Sequence, residues 1–65
     1  MKVYIIIKDE RFELEDPFAI QEPLQNQSWY FQKDGVKQKL TIYRVDNIFI
    51  SSGRSLDVIK ELYLE

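Results

Sequence analysis

Two groups of side chains in this 65-residue sequence have types and spacings that could carry chemistry. The first is acidic: Asp9, Glu10, Glu13, Glu15 and Asp16. On a strand, Glu13 and Glu15 would share one face about 7 Å apart, a separation at which paired carboxylates divide general-acid and general-base work. That chemistry also needs a cleft and one carboxyl with a raised pKa. The alternation Arg11-Phe12-Glu13-Leu14-Glu15 instead turns both carboxylates to the solvated side of a half-buried strand. A calcium loop wants oxygen ligands at alternate positions and a glycine at the sixth, and this stretch has no glycine. The acidic cluster therefore reads as solvated surface.

The second group mixes cations with aromatics: Tyr30, Lys37, Lys39 and Tyr43, with Lys33 and Arg44 close in sequence. Single-stranded nucleic-acid binders combine aromatic stacking platforms with a cationic groove on a small β-barrel. Lysines and tyrosines on an exposed strand also serve solubility and protect edges. An outward tyrosine between two core aromatics is the natural anchor of a protein-binding patch.

What is missing narrows the chemistry further. The chain has no cysteine and no histidine, which removes thiolate and imidazole metal ligands and the commonest general base. Gly35 and Gly53 are isolated, so no phosphate-cradling loop is present. Ser51-Ser52-Gly53-Arg54-Ser55, at the start of a helix, offers only a weak anion site. No catalytic residue, cofactor or metal is expected.

These side chains need elements to hold them, and the dominant period is two. Val3–Ile7 is β-branched and aromatic on both faces, as in a strand covered on both sides. Asp9-Glu10 reads as the turn that joins it to the strand around Phe12 and Leu14. Residues 16–27 carry Pro17 and Pro23 and read as a loop that tucks Phe18, Ile20 and Leu24 onto the core. Asp34-Gly35 suits a type I′ turn, because both of its central residues take positive φ. A two-residue turn there pairs Lys33 with Val36, Phe31 with Gln38 and Trp29 with Leu40. Trp29, Phe31, Leu40 and Ile42 then share a buried face, while Tyr30, Gln32, Lys37, Lys39, Thr41 and Tyr43 share the other. A slip by one residue would set Trp29 and Phe31 beside Lys37 and Lys39.

Asp46-Asn47 reads as a second tight turn before a short strand, Ile48-Phe49-Ile50. From Ser55 the period changes: Leu56, Ile59, Leu62 and Tyr63 fall on one helical stripe, with Ser55 as N-cap and Asp57 in the first turn. A helix over 55–65 is the preferred reading. The competing one is a terminal strand, in which Leu62 and Leu64 alternate with Glu61, Tyr63 and Glu65.

Charge selects no partner by itself, because the net value is −2 and dedicated nucleic-acid binders carry a basic excess. Its distribution is uneven, with acid concentrated in residues 9–16 and base in residues 33–45. Val3–Ile7 is too short for a signal-peptide core, and no run approaches the ~20 apolar residues of a membrane helix. A cytoplasmic protein without membrane contact is the expectation. So short a chain buries only about 60% of the surface its unfolded form exposes, and such scaffolds often lean on a partner or a second subunit.

Trp29-Tyr30-Phe31, Asp34-Gly35 and Val45-Asp46-Asn47-Ile48 give residues 2–51 a layout that resembles small β-rich bacterial and phage proteins. The resemblance is one of strands and turns, implies a bacterial or phage accessory protein, and carries over no functional residue.

Together these readings predict one small domain over residues 1–65, mainly β within the α+β class. It would hold about five antiparallel strands in a curled or small-barrel-like sheet, with a C-terminal helix. The expected function is non-enzymatic: a protein-interaction or regulatory module whose binding face is Tyr30, Lys37, Lys39 and Tyr43. Its partner would be another protein or a second copy in a homodimer. The alternative is a nucleic-acid-binding small β-barrel of the OB or SH3 kind using the same face.

Overall fold

The computed structural model describes residues 2–16 and 24–65. Five strands run in the order β1 (Lys2–Ile7), β2 (Glu10–Glu13), β3 (Ser28–Lys33), β4 (Val36–Ser52) and β5 (Ser55–Leu64). They form one sheet with spatial order β2-β1-β5-β4-β3. The fold is mainly β, as the period of two requires, but the sheet is mixed. β1 and β5 run parallel, with Lys2 opposite Ile59 and Ile7 opposite Leu64, while the remaining pairs are antiparallel.

The expected C-terminal helix is absent: residues 55–64 are a strand. Local periodicity was ambiguous there, and tertiary pairing decides it. β5 lies at the centre of the sheet with a ladder on each side, and no helix could satisfy both neighbours. The competing alternation is the one realised, with Leu62 and Leu64 buried and Glu61 and Tyr63 on the opposite face. The helical N-cap role of Ser55 and the anion site at a helix start fall with the helix. Asp57 instead accepts a hydrogen bond from the Val58 amide at 2.9 Å.

The expected turn at Asp46-Asn47 is also corrected, because β4 runs unbroken through it. The turn that joins β1 to β2 is Lys8-Asp9 rather than Asp9-Glu10, with Ile7 opposite Glu10 and Lys8 at φ 54°. The β3–β4 hairpin has the register read from its sequence: Lys33 faces Val36, Phe31 faces Gln38 and Trp29 faces Leu40. Asp34 at φ 53° and Gly35 at φ 79° make its turn.

β4 changes partner along its length. Val36–Thr41 pairs with β3 and Ile42–Ser52 pairs with β5. The handover carries a β-bulge between Ile42 and Arg44, with Tyr43 as the extra residue. A bulge bends its strand and increases local twist, so the sheet curls into a half-barrel. Its concave side holds the core of Val3, Leu24, Ile42, Leu62 and Leu64, with Ile5, Ile7, Leu14, Trp29, Leu40 and Val45 packed against it. Leu24 is buried as the loop reading anticipated, whereas the expectations for Phe18 and Ile20 lie outside the described residues. Trp29 is half-buried and donates from Nε1 to Gln27 Oε1 at 3.4 Å.

Candidate functional site

The four residues singled out from sequence all stand on the convex, outward face, and Tyr30 is 72% exposed and Tyr43 47%. Tyr30 lies directly across from Lys39, and Lys37 is on the same face opposite Gln32. Tyr43 is not brought onto Tyr30, because β3 ends opposite Thr41 and the bulge intervenes. Its ring instead meets that of Tyr63, with centroids 6.2 Å apart and planes at 53°. Lys37, Lys39 and Tyr43 thus form a strip along β4, with Tyr30 beside Lys39 on β3, rather than a cluster.

The flanking cations differ in how far they are already neutralised. Lys33 Nζ is 3.9 Å from Glu10. Arg44 donates to both Asp46 oxygens, from Nε at 3.0 Å and from Nη2 at 2.7 Å. That pairing holds the Arg44 guanidinium pKa above its ordinary value. No ion pair engages Lys37 or Lys39 among the described residues, so their charge is open to a ligand.

A ladder of polar and aromatic side chains continues this face across β4, β5, β1 and β2. Arg44 sits over the Tyr63 ring at 4.7 Å, and the Tyr63 hydroxyl donates to Glu61 at 3.2 Å. Glu61, only 15% exposed at its side chain, meets Arg11 at 3.4 Å. Arg11 in turn lies 3.7 Å above the Tyr4 ring. Glu61 and Asp46 stand opposite each other in register. Two like charges so placed repel, and an arginine beside each offsets that repulsion. Sequence reading missed the ladder because its members come from four strands whose pairing is not local.

Sequence reading also missed a projecting arm. β1 covers β5 only from Ile59 onward, so the pairs from Phe49–Val58 to Ser52–Ser55 form a bare two-stranded ribbon. This ribbon helps draw the molecule out to 45 × 22 × 22 Å. Phe49 is 67% exposed and Leu56 71%, with Ile48 and Ile50 also in solvent. A signal was available: Asn47-Ile48-Phe49-Ile50-Ser51-Ser52 is an uncharged β-forming run. The expectation of a turn at Asp46-Asn47 and a strand of only Ile48-Phe49-Ile50 hides its length.

Elsewhere, an open cleft of about 210 Å³ lies at the seam between β2 and β3, lined by Ile7, Lys8, Glu10, Phe12, Phe31, Lys33 and Gln38. It is smaller than the ~300–1,000 Å³ of ordinary small-molecule sites. Of the acidic cluster, Glu13 ends β2 and Glu15 lies beyond it, so the two do not share a strand face. No group of three or more acidic side chains is placed to hold a metal ion among the described residues. Nor is any helix there long and apolar enough to cross a membrane.

No family model, curated protein or solved structure matches this chain.

Proposed function

We propose that this protein is a non-enzymatic interaction module, a cytosolic regulator or accessory factor that binds another protein through the convex face of the β3–β4 hairpin. The observation that carries the reading is the pairing of Tyr30, 72% exposed, directly across from Lys39. An exposed tyrosine offers a large rigid contact with little entropy to lose, and tyrosine is enriched at binding hot spots. Lys39 and Lys37 beside it favour a partner surface that carries carboxylates. The decisive experiment compares proteins captured from the native host by the wild type and by the double variant Tyr30→Ala, Lys37→Ala. Loss of specific partners from the variant supports this face as the site; identical capture removes it.

The same juxtaposition of an exposed ring and a cation supports a second reading, single-stranded nucleic-acid binding. A salt titration with single-stranded DNA and RNA separates the two. A steep fall in affinity with salt favours nucleic acid, and absence of binding at low salt sinks that alternative.

A further inference from the structure

We infer that the arm is a self-association element, in which the outer edge of β4 over Asn47–Ser52 pairs antiparallel with the same edge of a second copy. This inference stands apart from the proposed function, because it uses the half of β4 away from the β3–β4 hairpin that carries Tyr30, Lys37 and Lys39.

The first argument is strand number. A two-stranded ribbon is marginal in water, and three or more strands are needed for independent stability. Beyond Ile48–Ile59 the arm has only two. It also carries apolar residues on both faces: Phe49, Leu56 and Val58 on the concave side, and Ile48, Ile50 and Ile59 on the convex side. A strand added to the β4 edge extends both faces at once.

The second argument is which edges are defended. Native sheets protect free edges with charge, proline, bulges or shortness. β2 carries Glu10, Arg11 and Glu13, and β3 ends in Lys33. The free edge of β5 within the arm has Asp57 at its middle, so self-pairing there would set two carboxylates face to face. β4 differs. Past Ile42 no strand lies along its β3 side among the described residues, and Asn47–Ser52 holds no charge and no proline. Among the described residues, this stretch of edge carries none of those deterrents.

The third argument selects a second copy as the occupant. A two-fold axis through Phe49 places Phe49 opposite Phe49 on the concave face, and Ile48 opposite Ile50 on the convex face. Every apolar residue of the run then meets another. The same symmetry sets Arg54 of one arm opposite Arg44 of the other, with Asp46, already bound to Arg44, two residues nearer the axis, so all charge stays at the flanks of an uncharged centre. The product is a four-stranded ribbon, β5-β4-β4-β5, closed by two-fold symmetry.

Sedimentation over a concentration series tests this with three proteins: wild type, Phe49→Lys and, on the far strand of the same arm, Ser55→Lys. Phe49 and Ser55 are both exposed, so neither change threatens the core, and far-UV circular dichroism checks the fold. Wild type should form a concentration-dependent dimer. Phe49→Lys should weaken it at least about tenfold, since like charges then face each other across the axis, and Ser55→Lys should leave it intact. Because the chain has no cysteine, Phe49→Cys should also oxidise to a covalent dimer, while Ser55→Cys should dimerise without forming the covalent link. A wild type that is monomeric throughout, a dimer indifferent to Phe49→Lys, or equal weakening by Ser55→Lys overturns the inference. A Tyr30→Ala, Lys37→Ala variant that still dimerises but loses its host partners separates this interface from the hairpin face.

Discussion

Phe12 of β2 and Phe31 of β3 touch across the open seam of the half-barrel, with ring centroids 5.5 Å apart and planes tilted at 52°. Their strands are the two outermost of the sheet and share no ladder. The curl is therefore secured by side chains at the point where backbone pairing ends. The Glu10–Lys33 pair at the same seam is exposed on both sides, and such pairs contribute little. The two rings hold the seam.

Removal of either ring should consequently loosen the seam in a coupled way. Phe12→Ala and Phe31→Ala should each destabilise by about 2 kcal/mol, less than a fully buried phenylalanine because both are half-buried. A double-mutant cycle by urea unfolding should give a coupling of about 0.5–1.5 kcal/mol. Strict additivity would mean that the contact does not hold the seam.

The strand assignment of residues 55–64 makes its own forecast. On a helical stripe, Leu56 and Leu62 would matter about equally; on β5 they do not, with Leu62 at 0% and Leu56 at 71% exposure. Leu62→Ala should cost about 2–5 kcal/mol, and Ile42→Ala, also at 0%, a similar amount. Leu56→Ala, measured in dilute protein, should stay within about 0.5 kcal/mol. Comparable losses at Leu56 and Leu62 would count against the strand.

Tyr63 should ionise late. Burial raises its phenol pKa above the ordinary value, and the charge of Glu61 and the hydrogen bond to it raise it further, with Arg44 opposing. A group whose folded pKa is raised contributes stability that is complete below the unfolded value, about 10 for tyrosine, and is lost as pH climbs through the folded one. The absorbance titration at 295 nm should lose its high-pH portion in Tyr63→Phe, and Glu61→Gln should move that portion down. Alkaline destabilisation should be correspondingly smaller in Tyr63→Phe. If the difference between wild type and Tyr63→Phe titrates at or below the ordinary phenol range, the Glu61 contact is not holding the proton.

The hairpin from Ser28 to Thr41 was legible in sequence because its information is local. Asp34-Gly35 fixes the turn, and the turn fixes which of Trp29 and Tyr30 faces inward. β5 was not legible, because Leu56, Ile59, Leu62 and Tyr63 satisfy a helical stripe as well as a strand. What decides between them is β1, which lies at the other end of the sequence. Asp46-Asn47 misled for a related reason. Turn-forming residue types can sit in a strand when their polar groups find partners there, as Asp46 does in Arg44. The outward orientation of Tyr30, Lys37, Lys39 and Tyr43 followed from alternation alone. The separation of Tyr43 from the rest follows from the bulge, which alternation does not encode.

The parallel pairing of β1 with β5 joins Lys2 to Ile59 and Ile7 to Leu64, so the middle of the sheet is made from segments almost a chain length apart. Loop closure of that span must be paid before the central ladder returns anything, and chains dominated by such non-local pairs fold slowly for their size. During synthesis the β1–β2 and β3–β4 hairpins can each form as soon as they emerge, yet the concave side has no floor until Leu62 and Leu64 arrive. Until then Val3 and Ile42, both buried in the finished molecule, face water. The interval in which this chain is most vulnerable to mispairing is thus written into its strand order.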